Sequence, residues 1–362
     1  MMDALTKEQA AAFNDLVGLD NLESLALIGL SKNAGKTTCL NHIITAWQVS
    51  GQTRPLALTS IGRDGEKEDI LSGRAKPRIY IPNGTIIAVA EGALPRSDVL
   101  LEILELTNIR TAFGEVVICR ALSDGYVELA GPSTTDELAM ISDKLRNIEP
   151  ECLFIIDGAL SRRSQARSGL SEAVILAVSA ASSAVPEVLA EKTAFALDLL
   201  QTSQITGSKR AEILKVINEK PTARGIIFNH EEERTEVVSI FLPSLVGFGQ
   251  EISRELHKNS YLLFLHGAIT DQLITELLKD SNFSDLRLVV QDGTRLFIKP
   301  ETLRKLHHRK VKLAVLDALD VRLVCLNPTR SNGHLSDPEP LLRALRQKIT
   351  NIPVVDLGPS NW

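Results

Sequence analysis

Several stretches of the chain are apolar on consecutive rather than alternate residues. SLALIGL (Ser24–Leu30), PLALTSIG (Pro55–Gly62), CLFIIDGA (Cys152–Ala159) and Ala173–Ser179 are the clearest. A strand apolar on every residue is buried on both faces, as in a parallel sheet covered by helices. Between these runs the period changes. Residues 4–18 read as a short helix. Thr38–Ser50 does too, with Leu40, Ile43, Ile44 and Trp47 on one face. Thr135–Asn147 is helical with Thr134 or Thr135 as its cap, and Val185–Leu200 is a further helix. Short extended segments are expected at Ile79–Ile81 and Thr85–Ala90 around the turn PNG. Ser97–Leu106 reads as a helix. Gly114–Arg120 and Tyr126–Leu129 read as paired strands across Ser-Asp-Gly.

The second half gives a helix at Lys209–Asn218 and strands at Arg224–Phe228 and Thr235–Phe241. Strand Tyr261–His266 precedes helix Asp271–Lys279. A hairpin of Leu286–Val290 with Arg295–Ile298 is expected across QDGT, then a helix at Glu301–His307. Strands follow at Val311–Val315 and Val321–Leu326, then helix Pro340–Ile349 and strand Pro353–Leu357. The predicted class is α/β, a mostly parallel sheet covered by helices plus a second α/β region. The polar stretch Thr202–Lys209 is the expected boundary, dividing the chain into residues 1–205 and 206–362.

Composition fits this picture. At roughly 150 residues per domain, 362 residues make two domains, and 44% hydrophobic content excludes wholesale disorder. Net charge is −5, which excludes a large basic field for nucleic acid. Aromatic residues are 4% of the chain and form no stacking ladder. Cys39, Cys119, Cys152 and Cys325 lack metal-knuckle spacing, which reads as buried thiols in a reducing compartment. The start is polar and amphipathic, unlike a signal peptide, and no apolar run reaches about 18 residues. A cytoplasmic protein without a membrane span is expected.

The sharpest chemical feature is GLSKNAGKTT, Gly29–Thr38. A strand, a glycine-bearing loop and a helix follow one another. Backbone amides of such a loop cradle a β-phosphate, and the helix adds its N-terminal dipole. Gly35 permits the tight turn, Lys36 reaches the β- and γ-phosphates, and the Thr37 hydroxyl faces Mg²⁺. Asn33, Ala34 and Thr38 complete the expected cradle. The usual spacing puts a glycine at position 30; here Leu30 stands there and the glycine is Gly29. The bland reading is a strand–helix turn without nucleotide.

Asp157 ends LFIID, where a carboxylate holds magnesium directly or through water, or else caps the next segment. Asp64 and Arg63 follow the second strand and either face metal and γ-phosphate or belong to a solvated loop. Ala130–Glu137 is either an anion loop or a helix cap. Ser161, Arg162 and Arg163 either bind a phosphate, substrate or partner or form a simple solvated turn, the latter being the plainer reading. Asn327 ends a late strand and is the candidate for contacting a base. No Asn-Lys-x-Asp segment for guanine is present, which leans towards ATP with Mg²⁺. The catalytic set is therefore Lys36, Asp157 and Asp64, and the metal set Thr37, Asp157 and Asp64. Neither a His-Glu-x-x-His run nor a Gly-x-Ser-x-Gly elbow occurs.

The N-terminal half resembles the phosphate-loop group that includes dethiobiotin synthetase and nitrogenase-iron-protein-like ATPases. The runs LALTSIGRDGE, KPRIYIPNGTIIA and VELAGPS resemble, more narrowly, the smaller reactivase component of cobalamin-dependent lysine 5,6-aminomutase. The resemblance covers residues 24–180. It implies ATP binding, a MutS-like ATPase partner, an aminomutase target whose adenosylcobalamin is damaged, and a homodimer. No Asp-x-His-x-x-Gly segment for ligating cobalamin is present. The competing expectations are a small-molecule ligase or kinase of the dethiobiotin synthetase type, and a structural subunit with a degenerate loop.

Overall fold

The computed structural model describes residues 5–31, 34–61, 78–158, 171–231, 235–330 and 333–357. The chain forms two compact units. The first is Met1–Ala196 together with Asp320–Trp362, and the second is Leu197–Leu319. The second unit is thus an insertion into the first. The division expected at 205/206 had joined residues 320–362 to the inserted part. They return instead to the first sheet, because the run Val321–Asn327 finds a parallel partner there.

The first unit runs α1 (Lys7–Val17), β1 (Ser24–Gly29), α2 (Lys36–Ser50), β2 (Leu56–Ser60), β3 (Ile79–Ile81) and β4 (Ile86–Ala90). It continues with β5 (Leu101–Thr111), β6 (Gly114–Ala121), β7 (Gly125–Val127), α3 (Thr135–Ile148), β8 (Leu153–Asp157) and β9 (Ala173–Ser179). Then α4 (Pro186–Leu200) leads into the second unit. That unit holds α5 (Gly207–Glu219), β10 (Gly225–His230), β11 (Thr235–Ile240), α6 (Gly249–Arg254), β12 (Ser260–Leu265), β13 (Ile269–Thr270) and α7 (Asp271–Leu277). It ends with β14 (Arg287–Val290), β15 (Leu296–Phe297), α8 (Pro300–His308) and β16 (Lys312–Val315). Back in the first unit come β17 (Val321–Asn327), α9 (Pro338–Lys348) and β18 (Val354–Asp356).

Among the described residues nine strands of the first unit form one sheet, in the order β18-β17-β9-β1-β8-β2-β4-β6-β5. Pairing is parallel from β18 to β4, and β6 and β5 add an antiparallel edge. Every residue of β2, β4, β8 and β9 is buried, as their unbroken apolar runs require. Leu25 and Leu27 of β1 face Leu40, Ile43, Ile44 and Trp47 of α2, with Phe13 and Val17 of α1 in the same cluster. Ala26 and Ile28, on the other face, are buried as well. Helix α1 opens on a capping box of Thr6 and Gln9 and stops at Gly18, which is left-handed at φ 73°. All four cysteines are buried free thiols.

Three local expectations are corrected. Residues 101–106 are strand, not helix. The alternation in LEILELT is equally compatible with either period, and the two-residue turn at Ala112–Phe113 commits the segment to β6. Next, β7 pairs with β3 rather than β6, because β4 and β5 already occupy both edges of β6. Lastly, β14 forms no hairpin. It lies parallel between β12 and β16, while β15 pairs with β13. Asp292 accepts the Thr294 N–H at 2.8 Å and caps a 3₁₀ turn that redirects the chain.

In the second unit five strands are ordered β11-β10-β12-β14-β16. Phe228, Leu262, Phe264 and Val289 share one core cluster with Ile213 of α5. Among the described residues no helix of either unit is long and apolar enough to cross a membrane.

Candidate functional site

The chain leaves β1 for β2 on one side of the sheet, comes back to β8 beside β1, then crosses to β9 on the other side. The order of the strands therefore reverses around β1. In open α/β sheets a crevice forms at such a reversal, outside the carboxyl ends of the strands. Gly29, Asp157, Ser60, Ser179 and Asn327 are the last residues of β1, β8, β2, β9 and β17, and all five strands are parallel. The loop Leu30–Gly35 starts in that crevice.

Ala34 and Lys36 lie close over Gly29. A Cβ at Gly29 would lie 3.0 Å from Ala34 Cβ and 3.2 Å from Lys36 Nζ. Lys36 is the first residue of α2, yet its ammonium runs back across the end of β1. The glycine one place earlier than the usual spacing is what makes room for it. Gly35 caps α2 in a left-handed conformation, φ 96°, without a side-chain cap hydrogen bond, and the first turn holds no acid. Helix geometry leaves the first N–H groups without an intrahelical acceptor, so this end suits an anion. Thr37 and Thr38 are half-buried in that turn. Ser31 Oγ is buried and has no hydrogen-bond partner among the described residues. An orphan hydroxyl in a loop with a cationic rim fits an oxygen-rich anion such as a triphosphate.

Asp157 is 7% exposed and stands in register between Leu27 of β1 and Ser60 of β2. Neighbouring strands lie about 4.8 Å apart, so Asp157 ends the strand next to the one that leads into the loop. Thr37 and Asp157 are the two members of the expected metal set that lie among the described residues. Among the described residues no group of three His, Cys, Asp or Glu side chains is arranged for a metal, so the donor set would rely on phosphate and water oxygens.

Asn327 is brought to the loop. A Cβ on Gly35 would lie 2.6 Å from Asn327 Cβ and 2.8 Å from its Nδ2. The Asn327 Oδ1 accepts from the Thr329 N–H at 3.1 Å. These contacts make Asn327 a buttress of the loop backbone, whereas the sequence offered it for a base. Ser179, which the sequence reading did not single out, fixes the same corner. Its hydroxyl donates to Thr329 O at 3.0 Å and accepts from Ala181 N–H at 2.9 Å. A serine closing an all-apolar strand was the available signal.

Ala130–Glu137 is used for structure. Thr134 caps α3 in a capping box with Glu137, whose Oε2 also accepts from Ser133 N–H at 3.0 Å. A Cβ on Gly131 would lie 1.9 Å from Ser60 O, so the loop is pressed against β2. The Ser133 and Thr134 amides are thus already taken by a carboxylate. Asn33, Arg63, Asp64, Ser161, Arg162 and Arg163 lie outside the described residues.

Substituting Gly35 with alanine is expected to cost about 1–3 kcal/mol, from the left-handed backbone and the overlap with Asn327 together. Asn327→Gly, which removes the opposing Cβ, should return part of that cost. A double-mutant cycle in urea measures the coupling. Additivity of the two changes would remove the buttress.

Comparisons with protein-family models, curated proteins and solved structures find no match to this chain.

Proposed function

We propose that this chain binds ATP with Mg²⁺ at Gly29–Thr38 and works as a nucleotide-dependent accessory protein of the reactivase type. The observation that carries the nucleotide reading is the Lys36 ammonium folded across Gly29, beside the open N-terminus of α2, at the reversal point of the sheet. In this reading the α2 amides and Lys36 hold the β- and γ-phosphates. The Thr37 hydroxyl and Asp157 hold the metal, which neutralises phosphate charge when bound. Asn327 keeps Gly35 in place. A loop held by a γ-phosphate in one state and released in another gives two conformations with different affinities for a partner. The resemblance of residues 24–180 supplies the partners: a cobalamin-dependent aminomutase and a MutS-like ATPase.

The small-molecule ligase reading is the less favoured, because Glu137 already occupies the Ser133 and Thr134 amides that would have met a substrate anion.

Calorimetric titration with ATP, ADP and GTP, each with Mg²⁺, tests the first step. Saturable binding of ATP is expected, with GTP weaker. Association with the aminomutase and its ATPase partner should then change between ATP and ADP. Absence of nucleotide binding by folded protein overturns the proposal. Binding without any nucleotide-sensitive association overturns its accessory half.

A further inference from the structure

We propose that the second unit carries its own binding site for a small phosphate-bearing molecule, centred on Arg287 and Lys312. Two concavities adjoin there and share these two side chains. The larger, about 680 Å³, is walled by Thr202, Ser203, Gln204, Leu303 and His307. The smaller, about 180 Å³, is walled by Lys209, His230, Tyr261 and Lys310. The larger volume falls in the range of small-molecule pockets, and its walls mix hydroxyl and amide groups with a few aliphatic ones.

The charge arrangement points to the ligand class. Arg287 and Lys312 stand directly opposite each other on the neighbouring parallel strands β14 and β16. Like charges in such a position are destabilising unless something offsets them. Lys209 and Lys310 add two more cations to the rim. Among the described residues none of the four makes an ion pair with a carboxylate, although Asp198 and Asp285 lie on the rims. This concentration belongs to a chain of net charge −5, so it is not part of a general basic surface. A dianionic phosphate at the Arg287–Lys312 junction offsets the repulsion through charge-assisted hydrogen bonds, bidentate on the guanidinium. The body of the molecule then occupies the larger cavity.

Tyr261 does not serve as a platform for a base. His230 stacks on it at 3.9 Å between ring centroids, and Lys209 Nζ lies 4.9 Å from its centroid. With its ring engaged by His230 and Lys209, Tyr261 offers no free platform to a run of bases, which favours a compact phosphorylated compound over single-stranded nucleic acid.

The full chain carrying Lys36→Ala is the protein to test, since it separates this site from the loop of the first unit. It is titrated calorimetrically with inorganic phosphate, inorganic pyrophosphate and glycerol 3-phosphate. One saturable site is expected, tighter for glycerol 3-phosphate or pyrophosphate than for phosphate. Lys312→Gln should weaken it at least tenfold, and Arg287→Gln with Lys312→Gln should abolish it, with the melting temperature of the ligand-free protein unchanged or raised by the lost repulsion. Glycerol 3-phosphate and phosphate binding equally would assign the site to free phosphate, against the proposal for a phosphorylated molecule. No binding, or binding undiminished in the double variant, overturns it. Binding of an RNA oligonucleotide alone, with steep salt dependence, also overturns it and makes the cluster a polyanion surface.

Discussion

Lys36→Ala is expected to weaken ATP binding by roughly 30- to 700-fold while leaving the fold intact. The ammonium lies across Gly29 at the mouth of the loop. If it meets the β- and γ-phosphates there, its removal forfeits one or two hydrogen bonds to charged groups, about 2–4 kcal/mol in total. The fold should tolerate the change. Lys36 is only half-buried, and alanine is a better helix former than lysine. Lys36→Arg is the sharper companion. Its charge is kept, but a planar guanidinium on a longer stem presents its donors in a different geometry from a compact ammonium, so arginine should rescue little. Titration of both variants against Mg²⁺·ATP, with melting curves alongside, is the measurement. Equal affinity of wild type and Lys36→Ala would remove Lys36 from the site.

Mild acid is expected to destabilise both units through one histidine each, the buried His42 and the partly buried His266. Burial holds His42 of α2 down to about 4, and holds His266 of the second unit to about 4, with Arg224 and Arg295 contributing to the latter. The unfolded chain takes up these protons near pH 6.5, and the folded chain does not until about pH 4. Stability is therefore complete above pH 6.5 and falls as the pH drops towards 4. At pH 5 the linkage amounts to about 2 kcal/mol for each unit as an upper value, and about 1–2 after screening by nearby solvent. Urea titrations at pH 7 and pH 5.5 measure it in a window where most carboxylates stay ionised. His42→Gln should flatten the dependence for the first unit and His266→Gln for the second. His42 packs edge-on against Phe13 at 4.5 Å, so its replacement also carries a pH-independent packing cost. An unchanged pH slope in both variants would place the acid sensitivity elsewhere.

The parts of this protein that were legible in sequence are those decided by local pattern. The unbroken apolar runs of β1, β2, β8 and β9 announced strands buried on both faces. The Gly35-Lys36-Thr37 step marked the turn into α2, and Thr134 marked the start of α3. What escaped was decided by pairing across long separations. Nothing within LEILELT distinguishes helix from strand until β6 is beside it. The hairpin expected across QDGT was undone by β12 and β16, which claim both edges of β14. At the site, Asn327 was noticed as a strand-ending polar residue, but its use depends on Gly35 having no Cβ. That contact links opposite ends of the chain, as does the 3.5 Å approach of Cys39 and Cys325 across a separation of 286 residues. Gly29 looked like a defect in spacing and proved to be the floor beneath Lys36.

The insertion of Leu197–Leu319 sets a schedule for synthesis. On a ribosome, β1, α2, β8 and β9 emerge long before β17. During that interval the free edge of β9 is unpaired and Gly35 lacks Asn327 behind it. Domains tend to fold as they emerge, so the inserted unit, contiguous in sequence, can complete itself first. The first unit must wait, and closing its sheet then brings together segments separated by the whole insertion, a slow kind of contact to form. A nascent chain halted before Val321 should accordingly hold a folded second unit and an unfinished loop. Nucleotide capture, if the loop performs it, would thus report that translation of the insertion is complete.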